Sequence, residues 1–205
     1  CKIFSPKEVT YSITGPKEDL DRGKALVSSL INRINRKEPF GSTAFPFCEE
    51  IRNEGISTSS KVQYVLKGYN YKKLRFPYHG ALQVLESLSS LDYLWNRIRV
   101  MGGAYGAFIK ISRNGRIVLG SYRDPKLKET LEAYDQLGAY MSKIDLSERE
   151  LRKYLIGTMS QLDAPLTPSM IGQKSDIQYL SGVTQEEIQQ ERNEILNVSD
   201  RKSVV

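Results

Sequence analysis

Apolar residues recur along this chain with two different periods, and the switches between them lay out its elements. In "EVTYSIT" (8–14), Val9, Tyr11 and Ile13 alternate with polar neighbours, which predicts a half-buried strand ended by Gly15-Pro16. Residues 18–37 change to helical spacing: Leu20, Val27, Leu30, Ile31 and Ile34 share one face, behind Glu18, Asp19 and Asp21 in the first turn. "PFGSTAFPFCEEIRNEG" (39–55) is a Pro- and Gly-punctuated connection with a short helix expected near its end. "KVQYVLKGYNY" (61–71) alternates again and predicts a second strand. From Tyr78 to Arg97, Ala81, Leu85, Leu88, Leu91 and Trp95 recur at three- and four-residue spacing, an amphipathic helix.

After that helix come two adjacent glycines, then "AYGAFIKI" and "RIVLGSY" joined across Asn114-Gly115, a strong hairpin signal. Asp124-Pro125 reads as an N-cap with proline at the first helical position, opening a helix over 126–144. Three more helices are expected: 148–162 behind the capping box Ser147/Glu150, 168–181 behind Thr167-Pro168, and 185–197 behind Thr184/Glu187. The order β-α-β-α-β-β-α-α-α-α predicts one α+β domain over residues 1–205, a mainly antiparallel sheet packed against helices.

Composition narrows the function classes. No apolar run is long enough for a membrane span, so no membrane partner is expected, and no signal peptide is visible. The chain opens on Cys1 rather than Met, so a preceding segment is expected. Two cysteines, Cys1 and Cys48, are too few for a disulfide framework and suit a reducing compartment. The net charge of +6 resides in the first hundred residues, which hold 16 Lys+Arg against 10 Asp+Glu. It is densest in "KGYNYKKLRF" (67–76), where Tyr69 and Tyr71 interleave with cations. Stacked bases on a nucleic-acid surface would use such a pattern, but so would the solvated end of a strand. One short cluster is no basic stripe, and no nucleic-acid partner is expected.

Much chemistry is excluded by count. The single histidine, His79, rules out a histidine pair for catalytic zinc and marks no Ser-His-Asp set within the chain. Its place at a helix start suits a capping or surface role. Cys48-Glu49-Glu50 has no second cluster at ligand spacing, so no metal is expected in this chain. Around Gly102-Gly103 there is no Gly-Lys-Ser/Thr closure, and the loop runs from helix to strand, presenting the wrong pole for a phosphate.

That loop, "RIRVMGGAYGAF" (97–108), offers other chemistry. Gly102 and Gly103 can adopt φ > 0 and admit another backbone closely. The chain reverses between Arg99 and Tyr105, so both side chains can converge on one spot. A guanidinium grips a carbonyl oxygen, and a phenol is a neutral donor for a developing oxyanion. A helix C-cap glycine pair, with an arginine on the dipole and a tyrosine in the sheet, explains the stretch equally well.

The run "LDYLWNRIRVMGGAYGAF", the hairpin, "SYRDPKLKETLEAY", "QLDAPLTPSMIG" and "TQEEIQQERNEIL" together resemble the C-terminal region of the insulinase-type zinc metallopeptidases, most closely the presequence-protease branch. The resemblance implies an insulinase-type α+β domain, the last of four in a clam-shell protease that degrades peptides in an enclosed chamber. Zinc and an inverted H-x-x-E-H motif would belong to the N-terminal domain of the parent enzyme, so this piece alone should be inactive. Carried over by position, Arg99 and Tyr105 are the expected catalytic residues. Arg99, Gly102, Gly103, Ala104 and Tyr105 are the expected substrate-binding residues. Partners would be peptide substrates and the remaining domains of the parent. The implied compartment is the cytoplasm for a bacterial source and an organelle matrix for a eukaryotic one. The family's last strand follows the terminal helix, and "KSVV" stands where it would begin, so an open sheet edge is expected. A non-catalytic structural or substrate-presenting subunit of the same fold is the alternative reading.

Overall fold

Periodicity and caps place most elements where the pattern puts them. The structure is a computed structural model that describes residues 10–33 and 53–198. Its elements are α1 (Lys17–Arg33), β1 (Gln63–Asn70), a 3-10 turn (Tyr71–Leu74), α2 (Ala81–Leu88), a π-type helix continuing it (Ser89–Val100), β2 (Gly106–Ile111), β3 (Arg116–Asp124), α3 (Lys128–Met141), α4 (Glu148–Leu162), α5 (Pro168–Ser181) and α6 (Gln185–Leu196). The fold is α+β, and its sheet is antiparallel in the order β1-β3-β2.

The chain divides into two compact units. In one, comprising residues up to Ile56 and Pro165–Thr184, α1 and α5 are the described helices. The expected strand 8–14 is not formed over its described part, residues 10–14; residues 8 and 9 lie outside the described residues. Alternation says which side of a segment is apolar, but a strand also needs a ladder partner. Here Ile13 rests on Gly23 and Thr14 on Gly172, where a Cβ on either glycine would meet those side chains. The segment is laid on helix surfaces instead. The expected short helix near the end of 39–55 falls almost wholly outside the described residues, and 53–55 are irregular.

The second unit, Ser57–Ala164 with the stretch from Gln185 onward, holds the sheet and the core. Val65, Tyr71, Leu88, Tyr93, Leu94, Ile98, Ile109, Ile111, Leu119, Tyr134 and Met141 form its main cluster. Of the tyrosines in the basic stretch, Tyr71 is buried with its hydroxyl donating to the Ser112 carbonyl, whereas Tyr69 is exposed. The hairpin turns through Gly115 at φ +100°, with Gly115 N–H donating to the Ser112 carbonyl at 2.9 Å. The loop is one residue longer than a two-residue turn and relies on that left-handed glycine. Glu86 on α2 ties the same end of β2, accepting the Ile111 amide at 2.8 Å and pairing with Lys110.

The helix expected at 78–97 shows the largest departure. It begins at Ala81, and from Ser89 it widens into i→i+5 bonding, seen at its end where Met101 N–H donates to the Asn96 carbonyl at 3.0 Å. Widening rotates every later residue about the axis relative to an α-helix. The buried face therefore passes from Leu88 to Tyr93, Leu94 and Ile98. Trp95, expected in the core, is 42% exposed, and Leu91, on the same expected apolar face, is 61% exposed.

Helices α4 and α5 follow their caps. Ser147 and Glu150 form the reciprocal capping box of α4, and Thr167 caps α5 with Pro168 in its first turn. Helix α6 docks on the start of α2 through polar groups: Glu194 accepts the Gly80 amide at 2.6 Å and Glu191 pairs with Tyr78 and Arg113. Burial tends to raise the Glu194 pKa. The Gly80 and Gln190 hydrogen bonds and the nearby His79 and Arg113 outweigh it, leaving that pKa below the ordinary carboxylate value. His79 does act at the helix start, its Nδ1 accepting the Ala81 amide at 3.1 Å.

Candidate functional site

The C-terminal turn of the π-type helix, the glycine turn and the adjoining ends of β2 and β3 build one surface cluster. The turn is closed by Gly103 N–H donating to the Arg99 carbonyl at 3.0 Å and Ala104 N–H donating to the Ile98 carbonyl at 3.1 Å. Gly103 adopts φ +85°, and a Cβ on Gly102 would collide with the Ile98 carbonyl. Both glycines thus have a local reason: one turns left-handed and the other lies flat on the helix end. Ala104 is buried with its amide already bonded, so it presents neither side chain nor donor outward.

Arg99 and Tyr105 are brought together. One Arg99 Nη donates to the Tyr105 main-chain carbonyl at 2.8 Å, and the guanidinium lies 5.7 Å from the Tyr105 ring centre. That bond uses one of five N–H donors. The Tyr105 ring is 57% exposed, and its hydroxyl bonds to no group among the described residues. The site therefore has a free neutral donor beside a partly committed cation.

Four residues that the sequence did not mark as site residues complete the cluster. Trp95, rotated out of the core, lies beneath the Arg99 guanidinium at 4.2 Å from its ring centre. Tyr122, directly across from Gly106 in the ladder, meets the Tyr105 ring at 5.5 Å between centres. Gly106 is required for this, because a Cβ there would stand 2.5 Å from the Tyr122 ring. Arg123 places its guanidinium 5.4 Å from the Tyr105 ring centre. Asp124 is fully buried and accepts from Ser121 Oγ at 2.6 Å, Thr130 Oγ1 at 2.8 Å and the Lys126 amide at 2.9 Å. The expected Asp124 N-cap of α3 is therefore not formed: Asp124 holds the turn ahead of the helix, and α3 starts at Lys128 with Leu127 in the cap position and no side-chain cap bond. The i, i+4 spacing of Trp95 and Arg99 and the glycine after Tyr105 were available signals for two of the four.

A larger apolar trough of about 1500 Å³ lies elsewhere in this unit, among Leu82, Leu85, Ile109, Leu119, Leu137 and Met141, and contains none of these site residues. Among the described residues, no three His, Cys, Asp or Glu side chains converge as a metal site would need. Among the described residues, no helix is long and apolar enough to cross a membrane.

Comparison with known proteins agrees with the resemblance. The chain is 42% identical over 98% of its length to the protein HypA of Clostridium perfringens, covering 20% of that protein. It is 39% identical over 92% of its length to presequence protease 1, chloroplastic/mitochondrial, of Arabidopsis thaliana, covering 18% of it. Over 59% of its length it is 40% identical to the mitochondrial presequence protease of Drosophila melanogaster, covering 12% of that protein. The chain thus spans a fifth or less of these relatives. Residues 53–203, which include every residue of the cluster above, match the sequence family described as the PreP C-terminal domain, and the chain belongs to that family.

Proposed function

We propose that this chain is the C-terminal, substrate-binding part of a zinc metalloendopeptidase that degrades peptides, and that Arg99 and Tyr105 are its contribution to the reaction. The observation that carries the reading is the Arg99–Tyr105 pair, a guanidinium fixed beside an exposed phenol whose hydroxyl has no partner among the described residues. Arg99 holds the substrate main chain through its remaining donors, while the Tyr105 hydroxyl donates to the oxyanion that develops when a peptide carbonyl is attacked. A phenol suits this task because its O–H is a hydrogen-bond donor without a formal charge. Gly102, Gly103 and Ala104 keep the turn in the shape that holds the pair together.

Zinc enters this proposal through family resemblance alone. The one imidazole of the chain uses its Nδ1 on the Ala81 amide, and the described residues do not fit a zinc site, so no step here runs through the metal. The zinc and its general base belong to another part of the parent protein. The compartment follows the source: the matrix of an organelle for a eukaryote, whose relatives are named mitochondrial or chloroplastic, or the cytoplasm of a bacterium.

The test is steady-state kinetics of the full-length protein that carries this chain. Tyr105→Phe removes one donor and keeps the ring, so kcat should fall by about 10²–10³-fold. Arg99→Ala should raise KM as well as lower kcat, and Arg99→Lys should rescue poorly because an ammonium lacks the planar fork. A Tyr105→Phe enzyme with unchanged kcat would end the catalytic claim and leave the structural or presenting role.

A further inference from the structure

We propose that Arg123 is a second substrate-binding cation, one that reads a carboxylate on the peptide; this rests on the reading of Arg99 and Tyr105 given above. Three observations meet at this residue. The first is its backbone. Arg123 has φ 49°, one of only two non-glycine residues among those described with positive φ. A side chain held there is strained, and such strain persists only where neighbouring structure imposes it. The second is what imposes it. Gln63 pairs with Asp124 and Val65 with Ser121, so Tyr122 and Arg123 together oppose the single residue Tyr64 in a β-bulge. Asp124, clamped by two hydroxyls and an amide, fixes the far side of the bulge. Bulges beside functional sites re-aim side chains, and this one turns Arg123 toward the Tyr105 ring.

The third observation is the missing counter-charge. Arg123 is exposed, and no carboxylate among the described residues pairs with it or with Arg99. Asp124, its sequence neighbour, faces inward and is occupied by its own donors. Two guanidiniums around one phenol, without an anion between them, repel each other until a negative group arrives. A planar, two-pronged cation matches a carboxylate better than it matches a lone carbonyl. The carboxylate can be an acidic side chain near the scissile bond or the C-terminal acid of a short peptide.

The experiment uses the full-length protein and four internally quenched peptides of one sequence: Glu or Gln beside the scissile bond, each with a free or an amidated C-terminus. Arg123→Gln is expected to raise KM about tenfold for carboxylate-bearing peptides, with kcat within twofold and the neutral peptide little changed. Which arm responds identifies the source of the carboxylate. Arg123→Gly should show the same KM defect while melting no lower than the wild type, because glycine relieves the strain. Arg75→Gln, at the other positive-φ arginine, should leave all four peptides unaffected. Equal effects on all four peptides, or none, overturn the proposal. Tyr105→Phe run alongside separates the two claims. If it loses kcat while Arg123→Gln changes nothing, only the role of Arg123 falls; if it keeps kcat, the reading beneath falls too.

Discussion

Gly106→Ala is a small change with a calculable effect on the candidate site. The new methyl would stand 2.5 Å from the Tyr122 ring and its hydroxyl, whereas relaxed contacts lie at about 3.5–4.0 Å. The ring must therefore retreat by about 1 Å. Overpacking of this kind typically costs about 1–3 kcal/mol. Replacing a glycine whose φ is not positive offsets roughly 0.4–1 kcal/mol through the unfolded chain. The net loss is about 1–2 kcal/mol, or roughly 2–8 °C in Tm for a chain of this length. Gly120→Ala is the matched control. Its Cβ would collide with Phe108 and approach Leu66 within 2.9 Å, on the same sheet but away from Tyr105. Both variants should melt earlier by similar amounts. Only Gly106→Ala should lower kcat/KM of the full-length protein, by ten- to a hundredfold, since a misplacement of about 1 Å costs up to about 10² in rate. Equal kinetic damage from the two variants, or an unchanged melt for Gly106→Ala, would refute the claim that the Tyr122 ring sets the position of Tyr105.

Other outcomes follow from single contacts. Leu88→Ala, at a side chain 1% exposed, should lose about 2–5 kcal/mol by denaturant titration, while Leu91→Ala should stay within about 0.5 kcal/mol. Equal losses would place the widened helix in the wrong register. Ser147→Ala should cost about 0.5–2 kcal/mol by removing the capping box of α4. The folded pKa of Glu194 is depressed, so its stabilising effect is complete above its unfolded value and is lost as pH falls through the folded one. Acid titration of stability should accordingly be flatter in Glu194→Gln; superimposable curves would remove Glu194 from the account of acid sensitivity.

Helices α4 and α5 were legible to the residue because their caps are local chemistry: a hydroxyl three residues ahead of an amide, a proline in the first turn. Arg99 and Tyr105 were legible as a pair because a chain reversal of six residues leaves them few places to go. Trp95 was not, since its face depends on a change of hydrogen-bonding period at Ser89 that no side-chain spacing announces. Arg123 was hidden for a similar reason. A bulge is a mismatch between two strands remote in sequence, and alternation within "RIVLGSYRD" does not record it. Asp124 was read as the N-cap of this helix and is not: it is buried between Ser121 and Thr130, and the helix starts two residues later than expected, behind Leu127 with no side-chain cap bond.

The exposure of Trp95 gives the site its own reporter. It is the single tryptophan of the chain, and its indole lies against the Arg99 guanidinium. Selective excitation of indole above the tyrosine absorption band therefore views this one location and nothing else in the 205 residues. A cation over the ring and partial contact with water both colour its emission. Any ligand that draws Arg99 away from the ring should register as a change in intensity or wavelength, without a label and without turnover. Occupancy of the cluster can thus be followed optically even where no bond is broken.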